Sequence, residues 1–449
     1  MSDYNILEYG AVGDGETNDG PAIQKTIDAC ALAGGGRVLI PSGKTYISGL
    51  ILLKSNVDFH IEIGACLKAS KNKEDYPQHE YTNTQTGSMG NSLENPHSLI
   101  CAIRQNNITI SGRGSIDGNA EAFMDIITQY HISGITYPRP KLVFIGDCKH
   151  VNIVDITLVN ASTWVIHPAA CEDVNISGIR IINNLSMANS DGIDPDHCKN
   201  VRITNCYIET ADDCIVLKNT KELESYGDTE NILISGCTFV STSAAIKIGT
   251  ETENDFRNIQ VDSCNILRSN RGIGIQLRGK GNIENVRFTN IIIETRRFYD
   301  RWWGKAEPIY VTAFNRYERT KVGKIKNLYF GNITCKGENG VYISGQEGNP
   351  VEEIVLDNVR VEIEKWTKWD GGIYDRRPSL DEGLDRGNTA GIYCANAKDI
   401  TLRHVKVVWP EKLEDYYGAA LEAHNVEDLS YEDFKGKAAF AGKEDIIIE

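Results

Sequence analysis

Four aspartates, Asp191, Asp194, Asp212 and Asp213, fall within two short polar stretches, Asn189-Ser190-Asp191-Gly192-Ile193-Asp194-Pro195-Asp196-His197 and Thr210-Ala211-Asp212-Asp213-Cys214. Carboxylates held close raise one another's pKa, so that one stays protonated while its neighbours ionise. Cleavage of a glycosidic bond needs that division of labour: an acid for the leaving oxygen, and a carboxylate that attacks the sugar or activates water. A single Asp beside Gly and Asn would be a corner residue, and a group of them could also hold calcium. Four together point to acid–base chemistry. Asp191 and Asp212 are 21 residues apart, so they meet only if the chain returns on itself at about that period.

The chain does repeat. An apolar-x-apolar strand, two or three polar or small residues and a second such strand occur as Val151-Asn152-Ile153 with Ile156-Thr157-Leu158, and as Val174-Asn175-Ile176 with Ile179-Arg180-Ile181. The pattern returns at Val201, Ile232, Ile259, Val286, Leu328, Ile354 and Ile400, with an earlier copy at Ile108. Between 151 and 286 the steps are 23, 27, 31, 27 and 27 residues. That is too short for a helical crossover in each unit and the right length for one coil of three short strands, the spacing of a parallel β-helix. Residues 21 apart then lie on adjacent turns, about 5 Å apart along the stack. Asn175, Asn200, Asn231, Asn258 and Asn285 recur beside the strands, where a turn or a stacked amide explains them.

Three steps are longer, 43, 42 and 46 residues starting at Ile108, Val286 and Ile354. They place inserted loops near 113–143, 296–320 and 364–391. The second carries Arg296-Arg297-Phe298-Tyr299-Asp300-Arg301-Trp302-Trp303 and the third Trp366, Trp369, Tyr374, Arg376 and Arg377. Aromatics mixed with Arg suit sugar stacking and hydroxyl or carboxylate recognition, and equally suit packing of the loops onto the scaffold. At the amino-terminal end, Asp19 to Ala33 reads as a helix ended by Gly34-Gly35-Gly36, placed to cover the apolar end of the stack. The glycines follow the helix, the wrong side for a phosphate loop. The expected architecture is all-β, one solenoid domain over 1–449, with cap and first coils in 1–70 and regular coils in 100–430.

With 449 residues, 41% of them apolar and 24% charged, the chain can bury a large core. Its net charge of −15 argues against nucleic acid or an anionic membrane as partner, and mildly against a long polyanion. Twelve cysteines in this length, many at core-like positions such as Cys206, Cys237 and Cys264, read as free buried thiols. No secretory signal opens the sequence and no run approaches a membrane span, so a cytoplasmic location is expected, or a secreted one if a signal has been trimmed. Composition does not address oligomeric state.

The two aspartate stretches, the second continuing as Ile215-Val216-Leu217-Lys218, resemble the signature of glycoside hydrolase family 28, the polygalacturonase family. Thr163-Trp164-Val165-Ile166-His167-Pro168 resembles a segment of its bacterial members, and Tyr9 to Gly15 with Gly34-Gly35-Gly36 is similar to the cap of the pectinase-like β-helix superfamily. The resemblance spans roughly residues 4–430. It implies a right-handed β-helix, no cofactor or metal, and an inverting hydrolase in which Asp212 is the acid while Asp191 and Asp213 position and deprotonate water. Asn189 and Asp194 would support them. His167, Lys218, Lys247, Arg271, Arg278 and Trp303 complete the candidate substrate contacts.

Two departures bear on the substrate. Where the family has Gly-His-Gly, this chain reads Thr242-Ser243-Ala244, and where it has the Arg-x-Lys pair that holds a uronate carboxylate, this chain has Gly274 and Gln276. Lys247, Arg271 or Arg278 replaces the lost cations, or the sugar bound there is neutral. The leading expectation is an exo-acting glycosidase on plant-derived pectic or related oligosaccharides. A lyase or epimerase on the same fold, which would need calcium and a proton-abstracting base, and a non-catalytic carbohydrate-binding β-helix are the alternatives.

Overall fold

The structure, a computed structural model, describes residues 2–79, 84–86, 92–94, 97–127, 132–135 and 139–449. They divide into two compact units, Met1–Asp212 and Asp213–Glu449. Among the described residues no helix is long and apolar enough to cross a membrane.

In the first unit the repeats stack as parallel ladders. Val151 pairs with Val174 and Val174 with Val201, while Ile153, Ile176 and Ile203 form the next rung column. A second ladder joins Thr157–Val159, Arg180–Ile182 and Tyr207–Thr210. A third runs from Ser98–Ile103 through Lys141–Gly146 to Ile166–Ala169. Side chains alternate between the faces of a strand, so Val151, Ile153, Val174, Ile176, Val201 and Ile203 all point into the core and are buried. The capping helix spans Gly20–Leu32 with Pro21 in its first turn. It turns Ile23, Ile27 and Cys30 inward, and the Asp19 carboxylate accepts hydrogen bonds from the Val12 and Gly13 amides at 2.6 and 3.1 Å.

The second unit continues the same grammar. Ile232, Ile259, Val286, Leu328, Ile354 and Ile400 lie in one register column, which is the series read from the repeats. Phe288 stacks on Phe330 with ring centroids 5.2 Å apart. All twelve cysteines are free, eleven buried and Cys66 half-buried.

The inserted stretches hold more order than their sequences suggest. Within 296–320, Ile309–Ala313 is a core strand that continues the ladder from Arg271–Leu277 to Val341–Ser344. Within 364–391, Ile373–Asp375 and Leu384–Arg386 form an antiparallel hairpin. Of the stretch 113–143, residues 128–131 and 136–138 lie outside the described residues.

The recurring asparagines have a double cause. Asn200, Asn231, Asn258 and Asn285 adopt left-handed φ between 55° and 60°, where Asn is tolerated better than most L-residues. Their amides also chain along the surface: Asn258 Nδ2 donates to Asn231 Oδ1 at 3.1 Å and Asn285 Nδ2 to Asn258 Oδ1 at 2.7 Å. We expect Asn258→Val to lower unfolding free energy by about 2 kcal/mol, chiefly through left-handed strain, and Asn258→Gly to cost markedly less. Chemical denaturation checks this; equal losses would mean that the amide chain, not the backbone, sets the residue.

Candidate active site

In the first unit, the corner after Tyr207–Thr210 is fastened to the coils before it. Ser190 Oγ accepts the Ala211 amide at 3.2 Å, and Asn183 donates to the Ser190 carbonyl at 3.2 Å while accepting the Ala161 amide at 3.0 Å. Thr210 Oγ1 donates to the Asp212 carbonyl at 2.6 Å. Asp191 is held by its own carbonyl, which accepts the Val165 amide at 2.9 Å. Asn189, left-handed at φ 57°, receives Arg139 Nη2 on its side-chain oxygen at 3.1 Å. The buried Arg139 also donates to the Ser162 and Ala188 carbonyls at 3.1 and 2.9 Å. This scaffold brings carboxylate oxygens of Asp191 and Asp212 within 4.8 Å of one another. Such a pair can share a proton, and its oxygens could equally receive a cation.

Two predicted substrate contacts of this unit are corrected. His167 is fully buried, packed edge-on against Phe144 and Trp164 at 5.3 and 4.8 Å. Lys141 Nζ lies 3.0 Å from its Nδ1; since an ammonium only donates, Nδ1 accepts and the ring proton sits on Nε2, 3.6 Å from Asp196. His167 is therefore part of a buried polar core. Asp194 is likewise fully buried, its amide bonded to the Ile166 carbonyl at 2.9 Å, so it supports the turn and cannot touch a sugar. Asn189 remains half-buried at the corner.

Asp213 follows Asp212 directly in the chain and opens the second unit, where it is 1% exposed. Its Oδ1 accepts Ser243 Oγ at 2.8 Å and the Ala244 amide at 3.1 Å, and its Oδ2 accepts Lys247 Nζ at 2.7 Å. Burial pushes its pKa up, but the charges of Lys247 and Lys218 and the donated bonds prevail and lower it below the usual carboxylate value. Asp213 is thus kept ionised. Glu251 behaves alike: burial opposes its charge, yet Lys218, Arg316 and Lys247 hold it at about 2, with Lys218 Nζ at 3.4 Å and Arg316 Nη1 at 3.5 Å.

The cations proposed for the substrate are therefore engaged by protein groups. Lys247 serves Asp213 and Lys218 serves Glu251. Arg271 grips Glu307 through Nε and Nη2 at 3.0 and 3.3 Å and donates to the Asp375 carbonyl at 2.6 Å. Arg278 has all five N–H groups taken, by the carbonyls of Pro378, Leu277, Thr312 and Arg376 and by Thr312 Oγ1. Its burial lowers its pKa to about 10, and no donor remains for a ligand. Arg278 is thereby corrected from substrate contact to clamp. Trp303 is half-buried, its carbonyl accepting Asn270 Nδ2 at 2.6 Å. Gln276, beside Gly274 on the same face, carries a buried Nε2 with no partner.

Sequence reasoning did not single out Arg139, Glu251, Glu307 or Asp375. Ser243 was noticed only as the residue standing where a histidine was expected; it supplies a hydrogen bond to Asp213 from that position.

A family model described as glycosyl hydrolases family 28 matches residues 30–370. A Vitis vinifera protein named "Probable polygalacturonase" is 25% identical over 373 residues, 80% of this chain and 74% of its own length. An endo-polygalacturonase of Pectobacterium carotovorum subsp. carotovorum is 23% identical over 350 residues, 76% of this chain and 83% of its own. The solved structure of a Yersinia enterocolitica family 28 exopolygalacturonase superposes with a TM-score of 0.74 at 21% identity, covering 95% of this chain and 78% of that one. Together with the ladders, these matches identify the fold as a right-handed parallel β-helix.

Lys247→Met removes the ammonium that lowers the Asp213 pKa, so that pKa must rise and ionisation must fail at a higher pH. The acid limb of kcat/KM is expected to move to higher pH, and Ser243→Ala to move it less, in the same direction. An unmoved limb in a folded Lys247→Met chain would assign the limb to another group.

Proposed function

Because the chain belongs to glycosyl hydrolases family 28 and is a glycosidase, we propose that it hydrolyses pectic oligosaccharides from a chain end with inversion, using Asp212 as acid and Asp191 with Asp213 to hold and deprotonate water. The observation that carries this reading is the asymmetry between consecutive aspartates. Asp213 is kept ionised by Lys247, Lys218 and Ser243, which suits a base. Asp212 lies within 4.8 Å of Asp191, where mutual repulsion favours one proton on the pair. Asp212 is also more exposed than Asp191, as a donor to a leaving oxygen must be. Relatives named polygalacturonases support the pectic substrate.

Exo action is supported by the second unit. The column that begins at Lys247 continues through Gly274 to Tyr310. Tyr310 is fully buried, its hydroxyl donating to the Asp375 carbonyl at 2.7 Å. Two coils past Lys247 the hairpin of residues 373–386 therefore packs against Tyr310, which supports a substrate path closed in that direction.

The spacing sets the stereochemical test. Inverting enzymes ordinarily separate acid and base carboxyls by roughly 6.5–9.5 Å, and retaining ones by about 5–5.5 Å. The nearest Asp191 and Asp212 oxygens approach more closely than either separation, which fits two carboxylates whose protonation is linked, while Asp213 is kept ionised as the base. Anomeric NMR of the first product from a defined oligogalacturonide is expected to show inversion, and Asp212→Asn to lower kcat at least a thousandfold. Retention, an unsaturated product, or full activity in Asp212→Asn would each overturn the assignment.

A further inference from the structure

Strand Ala244–Thr252 lies one coil past Ile215–Asn219 and carries both Lys247, which meets Asp213, and Glu251. The backbone beside Glu251 is fixed from both neighbouring coils. The Glu253 amide donates to the Asn219 carbonyl at 3.0 Å, and Thr252 Oγ1 accepts the Arg278 and Gly279 amides at 3.2 and 2.6 Å. The half-buried Glu251 carboxylate therefore has a set place, and cations come to it. Lys218 Nζ reaches Oε2 at 3.4 Å from the preceding coil, Arg316 Nη1 reaches Oε1 at 3.5 Å, and Thr250 Oγ1 donates to Oε1 at 3.1 Å.

Arg316 arrives from far along the chain. It belongs to the insertion 296–320, just past the strand Ile309–Ala313, which stands two coils on from Ala244–Thr252. At about 4.8 Å a coil, its guanidinium reaches back across the coil of Arg271–Leu277. The cations of that intervening coil, Arg271 and Arg278, are engaged by the arm of residues 364–391. The cation that meets Glu251 from that side is thus Arg316.

Lys218 and Lys247 are shared between two acids. Both act on Asp213 and both act on Glu251, although Lys247 Nζ bonds Asp213 at 2.7 Å and Lys218 Nζ stands beside Glu251. The other groups facing Asp213 are Ser243 Oγ and the Ala244 amide, which only donate to it here. Two ionised carboxylates that depended on the same two ammoniums would each be less well compensated. A third cation placed on Glu251 relieves that competition and leaves the lysines to Asp213.

We propose that Arg316 and Glu251 are positioning residues for Asp213: Arg316 occupies Glu251, so that Lys218 and Lys247 stay committed to Asp213 and keep it ready to take a proton from water. The ion pairing stands by itself; its use in catalysis rests on Asp213 being the base. Two measurements on the full-length chain separate these, a ¹³C NMR titration of the Asp213 carboxyl, identified by its loss in Asp213→Asn, and the acid limb of kcat/KM. Arg316→Met should move both to higher pH, because the positive charge that holds Glu251 is gone. Glu251→Gln should move both to lower pH, because the competing carboxylate is gone. Arg316→Met should then add little in the Glu251→Gln background, and Arg316→Lys should restore much of the wild-type profile. An Asp213 carboxyl that titrates unchanged in folded Arg316→Met would overturn the inference. So would an equal shift from Arg316→Met with and without Glu251, since Arg316 would then act on Asp213 directly. A carboxyl that moves as expected while the limb stays put would uphold the ion pairing and remove Asp213 from the role of base.

Discussion

Everything in the site depends on the rise of one β-coil. Backbone hydrogen bonds between parallel strands fix successive coils about 4.8 Å apart, so residues one period apart in sequence become neighbours in space. Asp191 and Asp212 meet for that reason, and Ser190 and Asn183 reinforce the same stacking with side chains. The register is enforced by burial. A one-residue slip would turn Val174 and Ile176 outward and their polar neighbours inward.

Electrostatics in the second unit is organised by pairing instead of by excess. Asp213 is buried and Glu251 half-buried, and Lys247, Lys218 and Arg316 hold their pKa values below the usual carboxylate range. An uncompensated charge at such depth is strongly unfavourable, and removal of one partner exposes the other to that cost. The same economy of partners governs the arm, where Arg271 meets Glu307 and Asp375 meets Arg377 at 2.6 Å. The hairpin segment is thus held by ion pairs and carbonyl contacts, and Trp369 packs edge-on against Tyr299 with ring centroids 5.9 Å apart.

Much of this was legible in the sequence because it is periodic. The register column from Ile232 to Ile400, the capping helix, the left-handed asparagines and the free thiols are all properties of local pattern and burial. The strand Ile309–Ala313 was hidden inside an insertion because its flanking segments break the period on both sides. His167 and Asp194 were misassigned because a polar residue beside a catalytic motif looks the same in sequence whether it faces the groove or the core.

By itself the sequence determined the coil, its period, and hence the nearness of Asp191 to Asp212, since one short repeat propagated by backbone pairing leaves little choice. Only the tertiary structure decided what each charge is for. Lys247, Lys218, Arg271 and Arg278 are four similar cations on paper. Their partners lie 33 residues away for Lys218 with Glu251 and up to 104 away for Arg271 with the Asp375 carbonyl, and no local rule sets which carboxylate or carbonyl a long side chain will reach. The arginine contacts arise when an insertion folds back over the coils, whereas Lys218 and Lys247 reach acids on the adjoining coil.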